Sequence, residues 1–342
     1  MTKVVQNIIE RAAKLNKNIV LPEAEDSRVV IAACEVARQG FARITLLGNE
    51  EQIKAQNPDC NLDGVVIINP ETYENTNLYA QMLFDARQGK INKKTGRPEF
   101  ATVEAAKANI LGDYTMYGAL MLKAGHVDGM VSGACHSTAN TLRPGLQVIK
   151  TGAGEKIVSA CFLMVAPKQG NQYCEDGCYI YADCALNQNP TAEELAYIAL
   201  SSARSAQSIT GITPRIAFIS HSSKGSAKHN DVTKVTEAFN IFKQIAPEYN
   251  ADGELQFDSA IVPSVAKSKA PNSTVAGHAN VLIFPDLDAG NTNYKNTERL
   301  GGFQAVGPIC QGFAKPMNDL SRGCKEEDIV AAVAITALQT QL

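Results

Sequence analysis

A run of small, hydroxyl and basic residues near the middle of the sequence has a composition suited to binding an anion. It reads SGACHSTANTLRP over residues 132–144, and its candidate ligands are Ser132, Gly133, Ser137 and Arg143. Glycine lets backbone N–H groups approach an anion closely, and an arginine offers two parallel donors to a phosphate. A phosphate at the start of a helix fits this pattern. The alternative is an ordinary turn whose hydroxyls only cap the helix.

A second basic loop reads HSSKGSAKHND over residues 221–231, with Lys224 and Lys228 on either side of Gly225. Its composition is that of a phosphate-binding loop. It lacks the G-x-x-x-x-G-K-[ST] pattern, which argues against a nucleotide-binding P-loop. The alternative is a solvated basic turn.

Three groups of different chemistry fall close together near the carboxyl end of the sequence. Ser321 and Arg322 stand shortly before Asp328, at the start of a predicted last helix. A hydroxyl, a guanidinium and a carboxylate at one corner can bind an oxyanion and take up a proton. The alternative for Asp328 is an acid that only stabilises the helix dipole.

The cysteines and histidines do not form a pattern typical of a metal site. Nine cysteines are an odd number in a long chain, which favours free thiols over a disulfide framework. The spacings of Cys174, Cys178 and Cys184 do not match paired zinc ligands. Cys324, near a helix N-terminus, is expected to have a lowered thiol pKa, but no histidine lies near it in sequence to act as a base. No G-x-G-x-x-G motif is present. We therefore expect no metal and no bound cofactor.

Length and charge exclude several classes of protein. The 342 residues favour two domains, and the net charge of −3 with a pI near 6.0 gives no basic field for nucleic acid or an anionic membrane. No apolar run of about 18 residues exists, and the amphipathic first helix lacks the core of a signal peptide. With free thiols, these features predict a cytoplasmic protein.

Strands alternate with helices along the chain, which predicts an α/β protein with mostly parallel, doubly covered sheets. One pair of apolar runs, 157–167 and 178–185, has no helix between its members and predicts an antiparallel ribbon. Ligands of such sheets bind at the carboxyl ends of the strands. The polar segments above follow predicted strands or precede the last helix, so the sheets would position them.

Taken together, these segments resemble the phosphate acetyltransferase (phosphotransacetylase) family. The matching stretches lie between residues 19 and 324, and they include IVLPEAEDSR, DGMVSGACHSTANTLRPGLQVIKT, SSKGSAKHND and GPICQGFAKPMNDLSRGC. The resemblance implies transfer of an acetyl group between coenzyme A and phosphate, directly in a ternary complex. It implies the short form of the enzyme that carries only the catalytic region.

The resemblance also implies an architecture. Two α/β/α domains with an interdomain cleft are expected, as in isocitrate and isopropylmalate dehydrogenases. The first domain would comprise residues 1–154 plus 309–342 and carry the SRGC catalytic segment. The second, residues 155–308, would form a homodimer.

Residue roles follow from the same resemblance. Asp328 is the expected base for the CoA thiol, Arg322 would orient phosphate, and Ser321 would bond to the thioester carbonyl. The expected CoA- or phosphate-binding residues are Arg87, Arg143, Ser137, Ser132 and Gly133. The stretch after Arg87 is longer than is usual in the family, so Arg97 competes for its role. Acetyl-CoA, phosphate and acetyl phosphate would be the partners.

Other functions are weighed against this one. A phosphate butyryltransferase or a propionyl-preferring enzyme differs only in the size of the acyl pocket. A metal-dependent decarboxylating dehydrogenase shares a related fold and could use Asp286 and Asp288, but the sequence has no dinucleotide signature. A regulator that binds CoA or phosphate without turnover is the third, and the intact Ser321, Arg322 and Asp328 argue against it.

Overall fold

The chain divides into two compact units in a computed structural model that describes residues 2–92 and 95–342. The first unit comprises residues 9–153 and 313–340. The second comprises residues 154–312, with residues 2–8 and 341–342 grouped with it. All residues of the predicted catalytic and CoA-binding sets lie in the first unit.

Up to residue 149 helices alternate with strands, except that three helices follow one another between β3 and β4. In order they are α1 (Lys3–Ala13), β1 (Asn18–Leu21), α2 (Ser27–Gln39), β2 (Arg43–Leu47), α3 (Glu50–Gln56), β3 (Val65–Ile68), α4 (Thr76–Ala86), α5 (Val103–Leu111), α6 (Tyr114–Ala124), β4 (Gly129–Ser132) and α7 (Thr138–Pro144), which runs into a π-helical turn (Gly145–Ile149).

The remaining elements follow from residue 159. They are β5 (Ser159–Val165), β6 (Cys178–Ala182), α8 (Ala192–Ser205) with a π-helical turn (Ala206–Thr210), β7 (Arg215–Ile219), α9 (Asn230–Ile245), β8 (Asn250–Leu255), α10 (Phe257–Ile261), α11 (Pro263–Lys269), β9 (Val281–Ile283), α12 (Leu287–Arg299), β10 (Gln304–Gln311), β11 (Met317–Asp319) and α13 (Glu326–Gln339).

The first unit contains a five-stranded sheet in the order β11-β4-β1-β2-β3, and every neighbouring pair in it is parallel. Ile19 lies opposite Ile44 on one side and Gly129 on the other. Strands β1 and β4 are short, apolar and almost wholly buried, as expected of parallel strands covered on both faces. Helix α13 packs against α2 and β4, so the segment after residue 312 completes both the sheet and its cover.

The second unit contains a six-stranded sheet in the order β10-β5-β6-β9-β7-β8. The β6–β9, β9–β7 and β7–β8 pairs are parallel, whereas β5 is antiparallel to both β6 and β10. Phe162 lies opposite Tyr181 in the pair that the sequence predicted as an antiparallel ribbon, and that prediction is confirmed. Strand β10 groups with this unit because it pairs with β5 as far as Gln311. The predicted α/β class with mostly parallel sheets is confirmed.

Local signals set several element boundaries. The Asp26 carboxylate accepts the Arg28 N–H at the start of α2, and Thr191 forms a reciprocal capping box with Glu194 at the start of α8. The sequence predicts a helix from about residue 71 to 88, but α4 begins later, at Thr76, and ends at Ala86. The Asn69 side chain and carbonyl instead accept backbone N–H groups of a preceding turn.

Within the described residues, none of the helices combines the length and apolar composition that a membrane span requires.

Candidate active site

Two polar segments begin side by side at the carboxyl edge of the first sheet. Strands β4 and β11 are parallel neighbours, and their last residues, Ser132 and Asp319, are partners in the register. The chain continues from these residues into segments 133–137 and 320–324. The sheet therefore brings together two of the segments that the sequence singled out, which lie almost two hundred residues apart in the chain.

A single guanidinium pins both segments. Arg28 donates from Nη1 to the carbonyl oxygens of Arg322 at 3.0 Å and Cys324 at 2.8 Å, and from Nη2 to that of Ala134 at 3.0 Å. Its Nε and Nη2 also bond to the two carboxylate oxygens of Asp26. This pairing lowers the pKa of Asp26 and fixes the orientation of the fork. Arg28 therefore sets where the two segments stand relative to each other.

The loop after β4 wraps around the carboxylate of Glu23. The N–H groups of Gly133 and Ala134 donate to Oε2 at 2.7 and 2.9 Å, and that of Cys135 donates to Oε1 at 3.0 Å. Nδ1 of His136 lies 2.6 Å from Oε1. Glu23 is 1% exposed, so its charge is offset by these four groups. The anion that these backbone amides hold in this structure is the protein's own carboxylate.

Asp319 presses against the same loop from another direction. Gly133 adopts a φ of +114°, and a Cβ added there would lie 2.3 Å from Oδ1 of Asp319. Asp319 is 1% exposed, and within the described part of the chain neither of its oxygens has a hydrogen bond of regular geometry. Burial raises the pKa of Asp319 to about 6, although the nearby hydroxyls of Thr138 and Thr141 favour the charged form. A buried carboxyl with a raised pKa therefore lies directly against the loop.

The three predicted ligands in this loop have different surroundings. The side chain of Ser132 is fully buried, and its hydroxyl has no hydrogen-bond partner among residues 2–92 and 95–342. The amide of Gly133 is taken by Glu23. Ser137 caps α7, because its Oγ accepts the N–H of Asn140 at 3.3 Å. The capping that the sequence left as an alternative is therefore present for Ser137. Substrate contact by these three residues stays a prediction.

The predicted catalytic trio occupies the turn between β11 and α13. Ser321 and Arg322 are exposed, and Oγ of Ser321 accepts the N–H of Gly323 at 3.2 Å. The carboxylate of Asp328 lies in the first turn of α13 and accepts the N–H of Lys325 at 2.9 Å. Asp328 thus satisfies an N-terminal donor of the helix, as a first-turn acid is expected to do. The turn itself is held through its carbonyls by Arg28.

A depression of about 580 Å³ opens beside the loop, within the first unit. Six residues that line it are Pro22, Glu25, Asp113, His136, Asn140 and Arg143. Arg143 has a half-exposed side chain whose Nη2 lies 3.5 Å from Oδ2 of Asp113, and burial raises the pKa of Glu25. The depression therefore holds one predicted ligand, Arg143, together with an imidazole and an amide that can hydrogen-bond a polar ligand.

Arg87 lies elsewhere and is already paired. It forms the C-cap of α4, and its Nε and Nη2 both donate to Oε2 of Glu99, at 3.0 and 2.6 Å. Glu99 is in turn fixed by its N–H, which donates to the carbonyl of Lys90 at 2.9 Å. Arg97, the competing choice, is exposed on the same excursion of the chain. Arg87 does not line the depression. Because its guanidinium is paired with Glu99, a ligand that binds Arg87 must compete with that carboxylate.

The second basic loop, in the second unit, also wraps a buried carboxylate. Glu254 accepts the N–H of Gly225 at 2.7 Å and the hydroxyl of Ser222 at 2.8 Å, and Lys224 pairs with Asp252. Gly225 takes a φ of +82°, which suits glycine. As in the first unit, an internal acid occupies polar groups that the composition had suggested for phosphate, here one amide and one hydroxyl.

All nine cysteines are free thiols. The expectation of a lowered pKa at Cys324 is wrong, because burial raises the pKa of this thiol to about 11, and it also raises that of Cys135 to about 12. Neither thiol is an activated nucleophile. In the described part of the chain, no three His, Cys, Asp or Glu side chains are grouped to hold a metal ion.

Four residues of this site received no role in the sequence analysis: Glu23, Arg28, His136 and Asp319. Glu23 stands at a strand end, and Asp319 closely precedes Ser321, so position alone marked both as candidates. Arg28 and His136 carried no signal, because their partners lie about 110 to almost 300 residues away in the sequence.

The parallel sheet and its crowded carboxyl edge define the class: an α/β protein whose polar loops meet where such folds bind ligands. Residues 3–337 match the model of the phosphate acetyl/butaryl transferase family. A phosphate acetyltransferase of Acetivibrio thermocellus is 49% identical over 337 residues, which cover 98% of each chain. The chain therefore belongs to the phosphate acetyl/butaryl transferase family.

Solved structures agree with this assignment. A phosphotransacetylase from Streptococcus pyogenes matches with a TM-score of 0.89 and 41% identity, covering 100% of this chain and 99% of that one. A 4-hydroxythreonine-4-phosphate dehydrogenase from Klebsiella pneumoniae matches with a TM-score of 0.55 at 11% identity, over 95% of this chain and 100% of that one. The second likeness is one of fold alone, and it agrees with the expected dehydrogenase-like architecture.

Proposed function

We propose that this chain transfers an acetyl group between coenzyme A and inorganic phosphate: acetyl-CoA + phosphate ⇌ acetyl phosphate + CoA. The observation that carries the proposal is the family match over residues 3–337, together with 49% identity to a protein named phosphate acetyltransferase. The crowded carboxyl edge of the first sheet supplies the chemical groups that this reaction needs.

Arg322 and Ser321 stabilise the charge that develops during transfer. Negative charge develops on the oxygen of the tetrahedral acetyl carbon and is present on the phosphate oxygens. A guanidinium offers two parallel N–H donors to either group. The exposed turn between β11 and α13 presents both side chains, while Arg28 fixes the backbone beneath them. Ser321 donates its hydroxyl to the carbonyl oxygen of the acetyl group.

Asp328 removes the proton of the CoA thiol. A thiol with a pKa of about 8.5 must lose its proton before it attacks acetyl phosphate. The Asp328 carboxylate stands in the first turn of α13, seven residues after Ser321, and its Oδ2 is oriented by the N–H of Lys325. A carboxylate held in this way is a suitable base once the thiol is bound beside it.

Arg143 and Arg87 bind the phosphates of CoA. Arg143 lines the depression beside the loop, and Arg87 lies at the end of α4. Ser132, Gly133 and Ser137 shape the loop between the depression and the catalytic turn. Both substrates are bound at once, so their proximity supplies a large share of the rate. The acetyl group passes directly from one to the other.

The test is phosphate-dependent release of CoA. Purified protein is mixed with acetyl-CoA and a thiol reagent in a chelating buffer, with and without phosphate. Release that requires phosphate supports the proposal. Release without phosphate indicates a thioesterase and contradicts it. Binding of CoA by calorimetry with no release supports the regulator instead.

Asp328→Asn separates the base from the helix cap. Asparagine keeps an oxygen that accepts the Lys325 N–H but cannot take up the thiol proton. We expect kcat to fall at least about 100-fold with the melting temperature nearly unchanged. An effect confined to KM would contradict the role of Asp328 as the base.

The preference for the length of the acyl group is tested in a parallel assay, because the name of the family covers both acetyl and butaryl transfer. One methylene in an apolar pocket changes discrimination by only about 1–3 kcal/mol. Initial rates with acetyl-, propionyl- and butyryl-CoA at equal concentration decide the question. We expect the acetyl thioester to be fastest.

We also propose a homodimer formed through residues 155–308, in a reducing cytoplasm. The nine free thiols suit such a compartment. Light scattering of the purified chain tests the assembly, with a mass near twice 36.6 kDa expected.

A further inference from the structure

The imidazole of His136 and the buried carboxylate of Glu23 form a pair that the mechanism above does not use. Nδ1 of His136 lies 2.6 Å from Oε1 of Glu23. The other three groups on this carboxylate are backbone N–H groups, which can only donate. An ionised carboxylate can only accept, so we assign the hydrogen of the His136–Glu23 bond to Nδ1 of His136.

This arrangement leaves Nε2 as the ring nitrogen that can gain or lose a proton. A histidine whose Nδ1–H is held by a carboxylate has a fixed tautomer and a fixed ring orientation. The His136 side chain is 37% exposed, and it lines the depression together with Arg143 and Asn140. The imidazole of His136 therefore borders a surface that also presents a guanidinium.

The pair is also linked to the predicted catalytic turn. His136 lies two residues after Ala134, whose carbonyl accepts from Arg28, and the same guanidinium holds the carbonyls of Arg322 and Cys324. Strands β4 and β11, which lead into the two segments, are neighbours in the sheet. The loop that carries the imidazole and the Ser321–Arg322 turn are thus joined through the hydrogen bonds of Arg28.

The reaction needs a proton where the phosphate leaves. When CoA thiol attacks acetyl phosphate, a C–S bond forms and the C–O bond to phosphate breaks. The proton lost from sulfur is balanced by one gained on the departing oxygen, because phosphate is released as hydrogen phosphate. A base at the thiol accounts for the first proton only. An acid near the phosphate supplies the second proton, to the departing oxygen, and so lowers the barrier to breaking the C–O bond.

We propose that His136, oriented by Glu23, is the catalytic acid that protonates the leaving phosphate oxygen. In the opposite direction the neutral ring takes the proton from attacking hydrogen phosphate. This inference rests on the proposed acetyl transfer and adds a second proton-transfer group to it. Glu23 is a positioning residue that acts through the imidazole.

The test is His136→Asn. The asparagine amide can replace the Nδ1–H donor to Glu23, but it places nothing at Nε2. We expect kcat to fall about 100-fold, with KM for CoA within about threefold and the melting temperature nearly unchanged. The matched control is His278→Asn in the second unit, where Nδ1 lies 2.8 Å from Oε1 of Glu175. The control should keep the activity of the unsubstituted protein.

Chemical rescue distinguishes proton transfer from loop support. Added imidazole should restore part of the kcat of His136→Ala and leave that of His278→Ala unchanged. A His136→Asn kcat within threefold of the control would overturn the inference. A fall in kcat that accompanies a lower melting temperature and resists imidazole would overturn it as well, because it indicates support of the loop alone. Unsubstituted protein that releases no CoA with phosphate refutes the proposed function itself, a separate outcome.

Discussion

Replacing Arg28 tests most directly how the two segments of the site are held together. It joins the loop after β4 to the turn before α13 through three carbonyl oxygens, those of Ala134, Arg322 and Cys324. Arg28→Lys keeps the positive charge beside Asp26 but loses the rigid fork. We expect a lysine that stays beside Asp26 to reach one of the three carbonyls, so two of the hydrogen bonds to carbonyls are lost.

The expected size of the effect follows from those bonds. Each contributes roughly 1 kcal/mol net, so the loss of two costs about 2 kcal/mol of the free energy that orders the turn. If the Ser321–Arg322 turn must be in place for transfer, this corresponds to about a thirtyfold fall in kcat. The assay is the initial rate of phosphate-dependent CoA release at saturating substrates, with the melting temperature measured alongside.

The matched control is Arg38→Lys on the same helix, α2. Arg38 is also paired with an acid, Glu35, but its side chain is 71% exposed and touches neither segment of the site. We expect this variant to behave as the unsubstituted protein does. A kcat for Arg28→Lys within threefold of the control would refute the reasoning, and so would a fall in melting temperature without a fall in kcat.

Two further predictions concern carboxylates that the sequence did not single out. The folded-state pKa of Asp319, about 6, lies above the unfolded value of 3.8, so its ionisation costs stability as pH rises from about 4 through 6. Asp319→Asn should therefore raise the free energy of unfolding by up to about 3 kcal/mol at pH 8 and by less at pH 5. Denaturant titrations at the two pH values measure this difference. An equal gain at both pH values would contradict the cost of ionising Asp319. Glu99→Gln should free Arg87 and lower KM for CoA about fivefold, whereas an unchanged or higher KM would show that Glu99 does not compete with CoA.

Much of the fold follows from signals that act over short distances. Asp26 before α2 and Thr191 with Glu194 before α8 are capping residues that are recognisable in the sequence. The alternation of strands and helices predicted parallel sheets, and the missing helix between residues 167 and 178 predicted the antiparallel pair. Helix α4 began later than expected because Asn69 holds a turn, a side-chain interaction that periodicity does not reveal.

The site was predictable in part, for a different physical reason. Glycine and serine at 132–137 indicated amides available to an anion, and amides there do hold one. That anion is Glu23, 110 residues earlier in the chain, and no local pattern connects the two. The roles of Arg28 and Asp319 depend likewise on which strands become neighbours. Residue types could be read from the sequence, but their partners are set by the tertiary structure.

Strand β11 and helix α13 belong to the first unit but are synthesised long after the rest of it. While the chain is being made, residues 9–153 leave the ribosome long before residues 313–340, which complete their sheet. Two of the three carbonyls that Arg28 holds belong to that late segment. Residues 154–312 of the second unit are translated in between, and domains generally fold as they emerge. The sheet of the first unit and the hydrogen bonds of Arg28 are therefore completed only after residues 154–312 have been made.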